Sequence, residues 1–223
     1  MSLIRHATSN DAPGIARVMQ ASGLDDTPDV ARIARVIPQH CTLVAIHDNE
    51  ITGFVDAFAT IGADRTVRWE IDLLGVHPEW QGQGIARQLV SAAILEGTQY
   101  NARQTRALIR TDNLASRRTF AWCDFKPKAI TFNLYVGAPH GGDTPPSLPP
   151  EAHLVSVATL TYSGIWVEGA LSSASLRAAS TILSCYRWTV AGALIPADAI
   201  DAMHIARRAG YTHIGEFDWW VRS

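Results

Sequence analysis

A glycine-rich segment has the composition and position of an anion-binding loop. It lies between a predicted strand and a predicted helix, and it consists of Gln81, Gly82, Gln83, Gly84, Ile85 and Ala86. Glycine lets the backbone turn tightly, and the first N–H groups of a helix lack helical partners. Together with the helix dipole, these free N–H groups can bind a pyrophosphate. The alternative is a turn that merely connects strand to helix. A P-loop is disfavoured because no Gly-Lys-Ser/Thr follows, and the G-x-G-x-x-G spacing fails at Arg87.

Two acidic residues lie in the strand before this loop, which is predicted over 66–76. Because side chains alternate along a strand, one face is predicted to carry Glu70, Asp72, Leu74 and Val76. Two carboxylates this close should raise the pKa of one of them. The alternative is that either acid lines a polar pocket or forms a salt bridge with Arg65 or Arg68.

The loop, this strand and a later segment together resemble the GCN5-related N-acetyltransferases (the GNAT family). Gln81, Gly84 and Ala86 match the family's motif A, Gln/Arg-x-x-Gly-x-Gly/Ala, in register, and LLGVHPEWQGQG resembles its strand, bulge and loop. The segment TDNLASRRTFAWCDF resembles motif B through Asn113, Ser116, Phe120 and Phe125. The resemblance covers residues 1–136.

The resemblance implies an α/β (in some schemes α+β) acyl-CoA N-acyltransferase fold, with a mixed central sheet in which a parallel strand pair splays apart. Acetyl-CoA, as co-substrate, would lie in that splay. Its pantetheine arm would follow the backbone of Leu74, Gly75 and Val76, and its pyrophosphate would bind the N–H groups of residues 81–86. Asn113 would contact the pantetheine arm, or be a helix N-cap, or both. The resemblance also places Ser116 among the residues that would bind the cofactor.

The implied reaction is direct attack of an amine on the thioester. The backbone N–H of Leu74 would stabilise the oxyanion. A lysine-like amine is neutral in only about one molecule in 2,500 at pH 7, so a base helps. Glu70 falls where histone-acetylating members of the family carry a glutamate base, and Asp72 is the second candidate.

Two positions depart from the family pattern. Many members carry a tyrosine seven residues after the motif B asparagine, as acid for the leaving thiolate, but here that residue is Phe120. The usual glycine before Phe125 is Asp124. Cys123 is interpreted as a buried small residue rather than a nucleophile. These departures weaken the prediction of catalysis and leave the prediction of cofactor binding intact.

The bulk composition excludes several classes of protein. The 223 residues carry a formal net charge of −2, which offers no basic surface for nucleic acid. Three cysteines without a CxxC pair indicate reduced thiols. The eight histidines show no metal spacing. No signal-peptide pattern or membrane-length apolar run is found, so the expectation is a cytoplasmic protein without metal or membrane partner.

The second part of the chain is predicted to be a separate unit. Residues 137–150 contain 3 Gly and 5 Pro, which predicts a stiff linker. The unit beyond it, 151–223, repeats the order strand, helix, strand, helix, strand, and ARRAGYTH resembles FAWCDFKP in the first unit. A half-size, degenerate GNAT-like copy is the hypothesis, and ordinary α/β alternation is the alternative. The unit lacks a glycine-rich loop, so we predict that it binds no CoA; it would cover a sheet edge, complete a substrate pocket or form a dimer contact.

The sequence therefore predicts an N-acetyltransferase that moves an acetyl group from acetyl-CoA to an amine of unknown identity. The alternative is a non-catalytic acyl-CoA-binding or regulatory module, which Phe120 favours. An interaction scaffold without CoA affinity is a third hypothesis, and a homodimer is left open. Strands are predicted over 4–7, 42–47, 51–59, 66–76, 105–110, 129–136, 163–168, 188–194 and 213–221. Helices are predicted from Asp11 and from Thr27, and over 85–96, 115–122, 172–186 and 198–209.

Overall fold

The computed structural model describes residues 3–141, 147–148, 150, 152–169 and 171–222. Within them the strands are β1 Leu3–His6, β2 Cys41–His47, β3 Glu50–Ile61, β4 Val67–Val76, β5 Gln104–Arg110, β6 Lys126–Gly137, β7 Ala152–Ala158, β8 Ser163–Gly169, β9 Val190–Pro196 and β10 Thr212–Arg222. The helices are α1 Ala12–Ala21, α2 Val30–Val36, α3 Ile85–Gly97, α4 Leu114–Trp122, α5 Ser173–Tyr186 and α6 Ile200–Arg208.

The strands form one mixed sheet in the order β1-β2-β3-β4-β5-β10-β6-β9-β8-β7. The pairs β4–β5 and β8–β9 are parallel, and the other pairs are antiparallel. This arrangement confirms the predicted α/β fold with a mixed sheet. Each parallel pair needs a crossover, which α3 supplies for the first pair and α5 for the second.

Apolar helix faces cover both sides of the N-terminal part of the sheet. One core cluster includes Ile85, Leu89 and Val90 of α3 packed against β2 to β5. A second cluster on the other side joins α1 and α2 to the sheet. A third cluster packs α5 and α6 against β8 and β9. Helices of both predicted units therefore pack against the same sheet.

Most predicted elements are present, with shifts of one to three residues at their ends. The turn at Asp48 and Asn49 has φ angles of 47° and 65° and closes the predicted β2–β3 hairpin. The second helix begins at Val30 rather than at Thr27, because the Asp29 side chain accepts a hydrogen bond from the backbone N–H of Arg32 and caps it. Strand β7 was not predicted; it lies at the sheet edge.

The two predicted units exchange their last strands within this sheet. Strand β6, predicted to close the first unit, pairs with β10 and β9, whereas β10 from the second unit lies between β5 and β6. The strand order has the same pattern on either side of the β10–β6 pair. The boundary at 137–150 stays a prediction, and its positions 142–146 and 149 lie outside the described residues.

The ends of α4 and α6 have the same backbone geometry. Phe125 N–H donates to the Phe120 carbonyl at 3.1 Å, and Tyr211 N–H donates to the Ala206 carbonyl at 3.0 Å. These contacts agree with the hypothesis of a degenerate duplication, which stays a prediction.

Among the described residues, no helix combines the length and apolar character needed to cross a membrane.

Candidate active site

Strand β4 contains a β-bulge that decides which side chains share a face. Leu73 lies opposite Asp56 and Ile71 lies opposite Ala57, so Asp72 is the extra residue. A bulge shifts the alternation of side chains by one residue. Leu74 and Val76 consequently pack into the core cluster beneath α3, whereas Glu70 and Asp72 line a cavity. The prediction that these four residues share one face is wrong for this reason.

Beyond the bulge, β4 separates from its parallel neighbour. The two strands pair only where residues 68–70 face residues 104–106, and β5 then continues along β10 while β4 continues along β3. This confirms the predicted splay. His77 N–H donates to the Thr52 carbonyl at 2.9 Å. Antiparallel pairing alternates, so the backbone N–H and C=O groups of Leu74 and Val76 point away from β3, towards the splay.

The glycine-rich loop is exposed at the end of this cleft. Gly82 and Gly84 have φ angles of 74° and 79°, in the left-handed region that favours glycine. The Gln81 side chain donates to the Val76 carbonyl at 3.1 Å and ties the loop to the strand. Among the described residues, the backbone N–H groups of Gly84, Ile85 and Ala86 have no acceptor. The helix start thus presents free donors, as the anion-site prediction requires.

Motif B has a structural basis in α4. The Asn113 side chain accepts a hydrogen bond from the backbone N–H of Ser116 at 3.0 Å, so the N-cap interpretation is confirmed. A contact of either residue with the pantetheine arm stays a prediction. Phe120 is buried and meets Phe125 edge-on with ring centroids 4.9 Å apart. Cys123 is buried, as expected, and burial raises the pKa of its thiol.

Glu70, the residue predicted as base, is held in a buried ion-pair network. Its two carboxylate oxygens accept hydrogen bonds from Nε of Arg106 at 2.9 and 2.8 Å, and the hydroxyl of Thr60 donates to it at 2.5 Å. Nε of Arg68 lies 3.6 Å away. Of the two arginines considered from the sequence, Arg68 is therefore a partner. Arg106 was missed because it lies 36 residues away, on β5.

A second acid closes the network from the far side of the cavity. Glu168 on β8 accepts hydrogen bonds from Nη1 of Arg68 at 2.9 Å and from Nη2 of Arg106 at 3.1 Å. The guanidinium of Arg106 also lies 3.9 Å from the centre of the Trp219 ring. The two arginines and the two glutamates thus balance each other's charge within the wall.

Asp72 differs from Glu70 because it forms no hydrogen bond or ion pair with any residue that the structure describes. It is partly buried at the bulge. Burial, then the nearby charges of Asp56 and Glu70, raise its pKa to about 7, against an opposing effect of His40. The pKa of Asp72 is therefore displaced upwards into the neutral range.

The cavity has a volume of about 670 Å³ and walls from both predicted units. Strands β4, β5 and β10 form one side, and β6, β8 and β9 form the other. Its aromatic lining consists of Phe132, Tyr162, Trp166, Phe217 and Trp219. The sequence pattern did not reveal this cavity, because the strands that form it are far apart in the sequence: Arg68 on β4 and Trp219 on β10 are separated by 151 positions.

A sequence model decides the family. Residues 16–125 match the model of the acetyltransferase (GNAT) family. This part of the chain is a GNAT domain. The match spans motif A, the splayed strand and motif B, and it supports the predicted class of acetyl-CoA-dependent acetyltransferase. No curated protein matches the chain.

Solved structures share the fold of the GNAT domain and of the region after it. A GCN5-related N-acetyltransferase from Sphaerobacter thermophilus has 12% identity and a TM-score of 0.61, and the match covers 99% of this chain and 95% of that chain. A proposed acetyltransferase from Pyrococcus horikoshii has 14% identity and a TM-score of 0.64 over 100% of this chain and 89% of that chain. The fold of both predicted units together thus occurs in other proteins.

A third structure matches a smaller share of the chain and carries a ligand. It is a proposed acetyltransferase from Salmonella typhimurium with its cofactor acetyl-CoA, at 23% identity and a TM-score of 0.51 over 59% of this chain and 83% of that chain.

Among the described residues of the present chain, no group of three or more His, Cys, Asp or Glu side chains is arranged to hold a metal ion.

Proposed function

We propose that the chain transfers an acetyl group from acetyl-CoA to an amine held in the cavity. The observation that carries the proposal is the order of groups along β4. Asp72 faces the cavity, the backbone of Leu74 faces the splay, and the loop with free N–H groups follows Val76. These are the three groups that base catalysis, oxyanion stabilisation and phosphate binding need, in spatial sequence.

Acetyl-CoA would lie along this series of groups. The N–H groups at the start of α3 would bind the pyrophosphate. The pantetheine arm would pair with the backbone of residues 74–76 within the splay, and Asn113 and Ser116 lie at the start of α4, which follows β5 on the opposite side of the splay. The solved relative with acetyl-CoA supports this choice of cofactor. The acetyl group would then emerge beside Asp72.

Asp72 is the better candidate for the base. Both oxygens of Glu70 already accept hydrogen bonds, whereas Asp72 is free and has a pKa of about 7. A base whose pKa lies near the working pH is the most effective one. In this proposal Asp72 accepts the proton of the ammonium, and Glu70 holds Arg106 and Arg68 in place.

The reaction then needs no covalent enzyme intermediate. The neutral amine attacks the thioester carbonyl, and the developing oxyanion accepts a hydrogen bond from the backbone N–H of Leu74. The C–S bond breaks, the CoA thiolate leaves, and the thiolate takes up the second proton, which the nitrogen loses as the amide forms. A thiol with a pKa near 8.5 leaves tolerably without an acid, so Phe120 does not prevent the step.

Tyr162 is a candidate hydrogen-bond donor to the thiolate. The indole N–H of Trp166 donates to its hydroxyl oxygen at 2.7 Å, and the phenol proton has no acceptor among the described residues. Burial, and then the charge of Asp72, raise the pKa of the phenol, so the phenol keeps its proton and can donate a hydrogen bond to the charged sulfur. This residue comes from the second unit and would replace the absent motif B tyrosine.

The test is calorimetric titration with acetyl-CoA, followed by measurement of CoA release in the presence of a panel of primary amines. The proposal predicts one acetyl-CoA site per chain and amine-dependent release of CoA. Binding without turnover for any amine would favour the non-catalytic acyl-CoA-binding module. Absence of binding at millimolar acetyl-CoA would contradict both.

A further inference from the structure

We infer that the acceptor is a small primary amine with an apolar body, such as an aromatic or branched aliphatic group, and without a carboxylate or a second charge. This inference rests on the proposed function, because it specifies the molecule that enters the same cavity. It follows from the charges of the cavity wall, from its apolar surface and from the ion pairs that join its two sides.

The wall offers one uncompensated charge. Among the described residues, five charged ones line the cavity, and four of them, Arg68, Glu70, Arg106 and Glu168, are bound to each other. Nη2 of Arg68 has no partner among the described residues, but this atom is itself buried and not presented to a ligand. Asp72 is left as the single free charge, and it is negative. One ammonium group satisfies it.

A carboxylate on the acceptor would find no free cation among the described residues of the wall. Arg106 is bound to two glutamates and covered by Trp219, and Arg68 is bound to Glu168 and Thr60. Burying an unpaired charge is costly. The cavity therefore discriminates against amino acids with a free carboxylate, and equally against polyamines, whose second ammonium group would have no partner.

The remaining wall is suited to an apolar body. Side chains of Phe132, Trp166, Leu194, Phe217 and Trp219 line it. Its volume of about 670 Å³ falls in the range of roughly 300–1,000 Å³ that small-molecule sites occupy. An aromatic ring placed against these side chains removes apolar surface from water on both partners, which is favourable.

The position of Asp72 orients the acceptor. The splay between β4 and β5 opens directly after the Glu70–Arg106 pairing, so an amine at Asp72 lies next to the cleft proposed for the thioester. The ion pairs of Glu168 with Arg68 and Arg106 join the two walls across the cavity. Because these ion pairs cross from one wall to the other, the cavity admits a small molecule more readily than a length of polypeptide.

The first experiment compares matched acceptors. We expect kcat/KM for 2-phenylethylamine to exceed that for phenylalanine, which has the same body plus a carboxylate, by at least about 100-fold. The same margin is expected over 1,4-diaminobutane and over a lysine-containing peptide. Equal or faster turnover of phenylalanine, the diamine or the peptide overturns the inference while leaving the proposed function in place.

A second experiment tests the location. Leu194→Trp fills the cavity, and Leu95→Trp is the control, because Leu95 is an exposed residue of α3 away from the cavity. Leu194→Trp should raise KM for 2-phenylethylamine more than tenfold with the affinity for acetyl-CoA unchanged, and Leu95→Trp should alter neither. An unchanged KM in Leu194→Trp contradicts the inference.

A third measurement separates the inference from the proposed function. Calorimetric titration of the free protein with 2-phenylethylamine needs no acetyl-CoA. Binding that Asp72→Asn and Leu194→Trp both weaken supports the cavity assignment even if no acetyl transfer occurs. If the protein turns over other amines but does not bind this one, the inference is wrong and the acetyltransferase proposal survives.

Discussion

Arg68 on β4 donates a hydrogen bond to Glu168 on β8 at 2.9 Å, although one hundred residues separate them in the sequence. The pair joins the GNAT domain to the second unit across the cavity. Together with the contact between Arg106 and Glu168, it means that the second unit completes the cavity wall. Of the roles expected for this unit, completion of a pocket is the one that these contacts favour.

Replacing Glu70 should destabilise the protein. Glu70→Gln removes the charge that balances Arg106, and breaking a buried pair costs about 3–5 kcal/mol. Urea unfolding should show this loss, whereas Glu50→Gln, at an exposed ion pair with Arg17, should change stability by less than about 0.5 kcal/mol. If Glu70→Gln folded normally and lost the pH dependence of kcat/KM, Glu70 would be the base after all.

Replacing Asp72 should remove the base. The carboxylate of Asp72 has a pKa of about 7, so wild-type kcat/KM should rise as the pH passes through about 7. Asp72→Asn should lower kcat/KM by roughly 10²–10⁴-fold and abolish that rise. The control is Asp48→Asn at an exposed turn residue. A pH profile that is identical in wild type and Asp72→Asn would rule out this role.

The same substitution should change the pH dependence of stability. The pKa of Asp72 is raised in the folded state, so its stabilising contribution is present below about pH 4 and is lost as the pH rises through about 7. Asn has no such dependence. The free energy of unfolding of Asp72→Asn, measured relative to that of wild type, should thus be larger at pH 8 than at pH 4. The increase should be about 1.4 kcal/mol per unit of pKa shift. Urea unfolding at both pH values measures this; a difference of opposite sign would contradict the shift.

The phosphate loop can be tested with a matched pair of glycines. Gly84 and Gly210 both have left-handed φ angles, 79° and 85°, with no crowding at an added Cβ. Gly84→Glu should abolish the rise in melting temperature with acetyl-CoA, a stabilisation of roughly 2.7 kcal/mol at 100 times Kd in wild type. Gly210→Glu introduces a similar backbone strain and should retain the rise in melting temperature with acetyl-CoA.

A third variant of the loop separates charge from strain. Gly84→Gln adds nearly the same bulk as Gly84→Glu without the negative charge. Its affinity for acetyl-CoA should lie between those of wild type and Gly84→Glu. Equal affinity in wild type and Gly84→Glu would mean that the phosphates bind elsewhere.

Tyr162→Phe tests the proposed hydrogen bond to the thiolate. If the phenol donates to the leaving thiolate, kcat should fall by about 10–100-fold, because a hydrogen bond to a charged group contributes about 1.5–3 kcal/mol, with little change in the affinity for acetyl-CoA. The control is Tyr186→Phe, at an exposed residue of α5. A fall in the affinity for the amine without a fall in kcat would indicate that Tyr162 binds the acceptor.

Local signals in the sequence were sufficient for the elements and for the loop. The glycines at 82 and 84, the N-cap at Asn113 and the helix periodicity each act within a few residues, so their structure follows from local backbone chemistry. The family motifs lie in the same segments. The fold of the GNAT domain could therefore be predicted without knowledge of distant contacts.

The bulge at Asp72 was beyond the reach of the sequence pattern. Strict alternation places Leu74 on the face of Glu70, and only the pairing of β4 with β3 shows the extra residue. The exchange of β6 and β10 is hidden in the same way, because each strand follows a helix as it would in an isolated unit. Strand partners are chosen by packing between distant segments.

The sequence by itself determined the family, the loop that would bind phosphates, and the pair of acids from which a base would be drawn. Only the tertiary structure shows that those acids have different surroundings. Arg106 from β5 binds Glu70, and Glu168 from β8 binds both Arg106 and Arg68, whereas Asp72 has no partner among the described residues. A carboxylate's capacity to accept a proton depends on its partners and its burial, and the Arg106 partner of Glu70 comes from 36 positions further along the chain.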